Sequence, residues 1–306
     1  MKKALVTGAT GFLGRHLCSR LRSSGFELYI SNTKVANLDN IENLRIYDGI
    51  SFDYIFHLAA ITKAGDYALT HSGEQWLNNQ TINTNILTYW KKFQPQAKMI
   101  CMGTSCSYMP GIQMKEGNYL IGEPEESLYT YAMTKRMLLV GLQSLSKQYG
   151  LKWLYFIPST LYGPNFELDD NHFIFDFIRN CYIAKYNNGQ FTIWGDGEQK
   201  RELVYIDDAV EAIVKLRDNN NEIFNLGSGE DYSINDFARM VCEVYEYDFN
   251  LIQWDLTKYV GAKEKKLNVE KLNKILLEHN NISLEDGLKT SIKYFVSQIA
   301  KLQLYS

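Results

Sequence analysis

The sequence has no excess of positive charge, no long apolar run and no paired cysteines, and each absence removes a class of function. With 32 lysines and arginines against 35 aspartates and glutamates the formal net charge is -3, so no global positive field exists to hold nucleic acid or an anionic membrane. Any anion must be bound locally. The longest apolar runs, such as residues 54–61 and 151–157, fall well short of the roughly 20 residues needed to span a bilayer. The charged start Met-Lys-Lys leads into an apolar stretch that breaks at Gly8 with no cleavage site after it, so it reads as a buried strand and not as a targeting segment. Five cysteines (Cys18, Cys101, Cys106, Cys181, Cys242) form an odd, scattered set without a C-x-x-C pair, which argues against a disulfide framework and a zinc site alike. These features point to a cytoplasmic protein with no metal, no membrane partner and no nucleic-acid partner. Repeats, low-complexity tracts and long linkers are missing too.

What is there is a chain of 306 residues, 45% hydrophobic, long enough for one large domain or two closely packed ones. In its first half short β-rich runs (residues 4–7, 27–31, 44–47, 54–59, 98–103 and 153–158) alternate with helical patterns (12–24, 79–93 and 127–149). Strands that are apolar almost throughout belong to a parallel sheet covered by helices on both faces. The expected fold is α/β, a Rossmann-type doubly wound parallel sheet with a smaller C-terminal α/β domain that binds substrate. The sheet domain is expected over 1–162 with a return near 203–227, where residues 203–206 and 223–226 are apolar. The smaller domain takes 163–202 and 228–306, with helices near 233–245, 268–278 and 283–299.

The first strand runs straight into Gly8-Ala9-Thr10-Gly11-Phe12-Leu13-Gly14 and then a helix. Glycines in this context let the backbone approach a pyrophosphate, and the helix N-terminus supplies oriented N–H groups. The pattern predicts a dinucleotide site. The second strand ends in Ser31-Asn32-Thr33-Lys34, with no Asp or Glu for the ribose hydroxyls and no arginine for a 2'-phosphate. Asn32 is the candidate ribose ligand. NAD is the preferred cofactor, with NADP left open through Lys34.

Tyr131-Ala-Met-Thr-Lys135 lies in a helical stretch, so phenol and ammonium stand one turn apart on one face. The lysine's field is expected to lower the phenol's pKa and make it a usable acid/base. Tyr259-Val-Gly-Ala-Lys263 repeats the spacing as a decoy, without a preceding strand and with a helix-weakening glycine. About 25 residues before Tyr131 the strand at 98–103 ends in Thr104-Ser105-Cys106-Ser107, at the sheet edge where such folds bind ligands.

Taken together, these elements resemble the extended short-chain dehydrogenase/reductase family of sugar-nucleotide epimerases and dehydratases, and most closely its GDP-L-fucose synthase branch. The resemblance runs from the glycine loop through His57-Leu58-Ala59-Ala60, Leu161-Tyr162-Gly163-Pro164 and Trp194-Gly195-Asp196-Gly197 to Arg201-Glu-Leu-Val-Tyr-Ile-Asp207-Asp208. It implies an NAD(P)-dependent oxidoreductase acting at C4 of a GDP-linked sugar, with or without 3,5-epimerisation, and a homodimer. Thr104, Tyr131 and Lys135 would be catalytic, with Cys106 and His172 as the acid/base pair of epimerisation or as groups that only orient the sugar. Gly8, Thr10, Gly11, Phe12, Leu13, Gly14, Asn32, Asp48, Leu58, Ala59, Ala60 and Pro158 would line the cofactor, along with Tyr131 and Lys135. Asn171, Trp194, Arg201 and Lys266 would hold the substrate.

Two departures stand out: Ile61-Thr-Lys-Ala-Gly-Asp66 where fucose synthases carry Val-Gly-Gly-Ile, and the missing arginine for NADPH. Ser105-Cys106 also replaces the Asp-Glu pair usual in the dehydratases, whose chemistry as a 4,6-dehydratase or NAD-retaining 4-dehydrogenase is the alternative. Plainer readings stand beside these. Cys106 can pack as a small hydrophobe, His172 can be a surface-loop residue, Trp194 can simply pack the smaller domain, and His57 reads as structural. A non-catalytic dinucleotide-binding module is the alternative of a different class.

Overall fold

The computed structural model describes residues 1–63, 67, 70–258, 261–276 and 281–304. A six-stranded sheet is built from Lys3–Thr7 (β1), Glu27–Ser31 (β2), Tyr54–His57 (β3), Lys98–Met102 (β4), Trp153–Pro158 (β5) and Glu222–Leu226 (β6). The strands lie in the order β6-β5-β4-β3-β1-β2, all parallel. The chain moves outward from β1 in both directions, so β1 and β3 flank the switch point where the connections leave to opposite faces. Helices Phe12–Ser23 (α1), Ser72–Phe93 (α2) and Tyr129–Tyr149 (α3) cover the sheet. In α1 the buried residues Gly14, Leu17, Cys18 and Leu21 recur every three or four positions, the stripe that a helix packed on a sheet requires.

The expected strand at residues 44–47 is not one. Ile41–Tyr47 is a 3-10 helix, started by Asn40, whose side chain accepts the Glu42 amide. Leu44 and Tyr47 are buried while Ile46 is 60% exposed, so the apolar spacing of three suits a 3-10 turn and not the alternation of a strand. His57-Leu58-Ala59-Ala60 therefore follows the third strand and not a fourth. The run at 203–206 does not join the main sheet either. Leu203–Tyr205 pairs in parallel with Thr160–Tyr162 in a separate two-stranded sheet, because β6 already occupies the edge of β5.

Two buried clusters result, one around the large sheet and one holding Phe166, Phe175, Phe191, Phe237 and Phe295. Phe173–Tyr186 (α4) and Ile234–Tyr245 belong to the second. Of the helix read at 268–278, Glu270–Ile275 forms, and 277–278 lie outside the described residues. Among the described residues no helix is long and apolar enough to cross a membrane.

Candidate active site at the carboxyl edge of the sheet

Gly8 takes a left-handed backbone (φ +66°), and a Cβ there would lie 2.7 Å from the Ala59 nitrogen. At Gly14 a Cβ would meet the Gly8 carbonyl oxygen at 2.1 Å. The loop is thus pressed against both the following helix and the end of β3. Gly11 caps α1 without a side-chain hydrogen bond, and the first turn holds no acidic residue. Its amides and the helix dipole are left for an anion, which is the cradle a dinucleotide pyrophosphate needs. The residues present fit that group. Thr10 is exposed on the loop, its carbonyl accepting from Arg15, and Phe12 packs edge-on against Phe175 of α4.

Beyond β2, Asn32 Oδ1 accepts the amides of Lys34 and Val35 at 2.8 Å, leaving its Nδ2 to donate outward. Asp48, exposed at the end of the 3-10 helix, binds Arg45, so its carboxylate is already engaged. Leu58 and Ala59 direct their amides to the Thr7 hydroxyl, each at 3.2 Å. Ala60 follows them, and Pro158 closes β5.

Thr104 follows β4 and starts a 3-10 turn, Ser105–Ser107, with its hydroxyl accepting the Cys106 amide at 3.3 Å. Tyr131 lies in the first turn of α3, and Lys135 Nζ stands 5.9 Å from its ring centre. Burial pushes the Lys135 ammonium down to about 8. Burial also pushes the Tyr131 phenol up, and nearby Cys106 and Tyr119 add to that. The expected lowering by lysine is therefore corrected: desolvation dominates and raises the phenol, while the nearby Thr104 hydroxyl draws it down. Thr104, Cys106, Tyr131 and Lys135 meet at one sheet edge.

Next to that edge lies a cavity of about 1000 Å³ whose walls include Thr62, Lys63, Asn171, His172, Trp194 and Arg201. His172 caps the N-terminus of α4, its Nδ1 2.7 Å from Asp170 Oδ1, and that bond raises the imidazole's pKa. Arg201 donates to the carbonyls of Lys200 and Ala262. Thr104, Cys106, Tyr131, Lys135 and Lys266 are not among the residues that form these walls. Cys106 stays on the sheet edge, and Lys266 pairs with Asp231 at 3.1 Å. His57 is buried between Thr7 and Asn83, as a structural residue should be. The decoy begins at Tyr259, outside the described residues, as do 64–66 of the divergent segment.

Sequence reasoning missed the fully buried amides of α2. Gln75, Asn79 and Asn83 recur every fourth residue. Asn79 and Gln75 bind the backbone of Ile61 and Lys63, holding the divergent segment where it lines the cavity. An i, i+4, i+8 row of amides in a helix between two buried strands is the signal that could have found them.

Residues 4–227 match the NAD dependent epimerase/dehydratase family. The chain belongs to that family. It is an enzyme that works with a nicotinamide dinucleotide. It is similar to the GDP-L-fucose synthase of Dictyostelium discoideum, 28% identical over 96% of this chain and 95% of that protein. With the GDP-L-colitose synthase of Yersinia pseudotuberculosis it shares 27% identity over 97% and 98% of the two chains. A GDP-L-fucose synthetase from Naegleria fowleri superposes with a TM-score of 0.86 at 23% identity, over 98% and 94% of the chains, which bears out the fold.

Proposed function

We propose that this family member reduces the 4-keto group of a GDP-linked sugar and epimerises carbons beside that group. The observation that carries the reading is the placement of Thr104, at the start of the turn after β4, near the Tyr131 phenol, with Lys135 Nζ 5.9 Å from the Tyr131 ring centre. Full-length similarity to proteins named GDP-L-fucose and GDP-L-colitose synthase supports the GDP-sugar class.

Gly8, Gly11 and Gly14 with the start of α1 would hold the pyrophosphate, Asn32 the adenosine ribose and Lys135 the nicotinamide ribose. Bound there, the reduced cofactor supplies the hydride that C4 accepts. Tyr131 delivers the proton to the C4 oxygen as negative charge builds on it, and Thr104 donates a hydrogen bond to the same oxygen. Cys106 and His172 exchange protons at the carbons flanking the ketone, which acidifies them; Asp170 holds the imidazole ready to carry a proton. Arg201 faces the diphosphate from the cavity wall, and Lys266 joins it only by leaving Asp231.

We read the protein as a homodimer because α2 and α3 pack on each other and leave Trp76, Leu77, Met137 and Val140 exposed. Five free thiols suit the reducing cytoplasm.

The test is incubation with GDP- and UDP-linked 4-keto-6-deoxyhexoses, followed by loss of dihydronicotinamide absorbance and by chromatography of the product. Oxidation that depends on the GDP sugar is expected. Turnover of the UDP sugar with the GDP sugar inert overturns the substrate class.

A further inference from the structure

Two buried phenols behind the site are used by none of the chemistry above. Tyr119 and Tyr155 are 1% and 0% exposed, one from the loop before α3 and one from β5. Their rings meet edge-on at 5.7 Å, and Tyr108 packs on Tyr119 at 5.2 Å. Gly103, the residue before Thr104, lies flat against them. A Cβ there would come within 2.5 Å of the Tyr155 ring and 2.7 Å of the Tyr119 oxygen.

The hydrogen bonds run through the pair in one direction. The Thr104 amide donates to Tyr119 Oη at 3.3 Å, the two phenol oxygens lie 3.3 Å apart, and Tyr155 Oη donates to the Lys135 carbonyl at 2.7 Å. Since the one Tyr155 proton goes to Lys135, Tyr119 is the donor within the pair. Burial keeps both phenols protonated. The chain thus begins on the backbone of Thr104 and ends on the backbone of Lys135. Separate bonds hold the far side of the turn to α3: Ser107 Oγ to the Ala132 carbonyl at 3.0 Å, and Arg136 Nε to the Ser107 carbonyl at 2.9 Å.

We infer that Tyr119 and Tyr155 are positioning residues: their hydroxyls set the separation between the Thr104 hydroxyl and the Tyr131 phenol by tying the end of β4 to the helix that carries Tyr131 and Lys135. The inference rests on the reading of Thr104 and Tyr131 as the pair that serves the C4 oxygen. A small misplacement of such a pair is enough to slow chemistry about 10- to 100-fold. Ser107 and Arg136 would keep the fold when a phenol is lost, and phenylalanine keeps the ring packing.

The experiment compares Tyr119→Phe, Tyr155→Phe and the double variant. Each single variant is expected to lower kcat about tenfold, with KM and cofactor affinity within about twofold, and the double variant to be no worse than either, because the chain acts as a unit. A second readout needs no turnover. With tyrosine labelled by carbon-13 at Cζ, the Tyr131 resonance, assigned through Tyr131→Phe, should move in both variants in the direction that Thr104→Val moves it. An unmoved resonance overturns the inference whatever the activity, and so does a moved resonance with unchanged kcat on a substrate the wild type turns over. A wild type inert toward every 4-keto nucleotide sugar overturns the substrate reading instead, and the resonance still decides whether the phenols position the pair.

Discussion

Thr7 and His57 face each other across the register of β1 and β3, with Oγ1 2.8 Å from Nδ1. The Thr7 oxygen also receives the Leu58 and Ala59 amides, so its proton points at the imidazole. The other ring nitrogen then donates to Asn83 Oδ1 at 3.0 Å. This neutral tautomer joins the cofactor strand to α2, and Asn83 passes the connection to the Thr134 carbonyl of α3.

That burial has a pH signature. His57 is held down at about 4 against an ordinary 6.5, so the unfolded chain binds more protons between those values and stability falls as pH drops through them. Glu202 opposes it. Burial raises its carboxyl from 4.5 to about 7, and its contribution, complete below 4.5, is lost as pH rises through 7. Between pH 4.5 and 6.5 the two cancel. His57→Gln should therefore lose stability with rising pH in that window and Glu202→Gln with falling pH, each by up to about 1.4 kcal/mol per pH unit. Urea titrations across the window check this; parallel profiles for the two variants would refute it.

Tyr131→Phe should lower turnover by roughly 10² to 10⁴ while leaving cofactor affinity nearly unchanged, because only the proton-carrying oxygen is lost. Lys135→Ala should harm both. With the ammonium near 8, wild-type cofactor affinity should weaken as pH rises through that value, and Lys135→Arg should move the decline upward. Calorimetric titration over the pH range reads all three. Retention of more than a few per cent of turnover in the phenylalanine variant would remove Tyr131 from the mechanism.

NAD(H) should bind more tightly than NADP(H). Asn32 has its oxygen committed to the turn and offers a donor to the ribose hydroxyl, while the strand end carries no arginine. A lower dissociation constant for NADPH than for NADH reverses this and assigns the phosphate to Lys34.

Incubation with the 4-keto sugar in D₂O without reductant should place deuterium at C3 or C5, and Cys106→Ala should suppress it while C4 reduction survives. A thiol and an imidazole suit opposite faces of the ring. No exchange in a wild type that still reduces C4 would leave Cys106 and His172 as orienting groups only.

The parts of this protein legible in its sequence are those whose physics is local. Gly8, Gly11 and Gly14 announce a backbone approach within seven residues, and Tyr131 and Lys135 need only one helical turn. What could not be read depends on partners outside each pattern's own span. Residues 44–47 look like a strand until Asn40 is seen to cap them. Gln75 and Asn79 look like solvent-facing helix positions until the segment at 61–63 docks on them. The distance from Lys266 to its expected ligand is set by Asp231, 35 positions before it, and no spacing rule contains that.

The contact at Gly14 reaches well beyond the loop. α1 carries Arg15, which holds Glu167 and the Asn165 carbonyl, and His16, which holds Asp207 and the Pro164 carbonyl. A methyl group at residue 14 would lever α1 off β1 and drag the segment 164–167 with it. That segment leads to His172, so the first loop of the chain also bears on where the proposed proton carrier of the site stands.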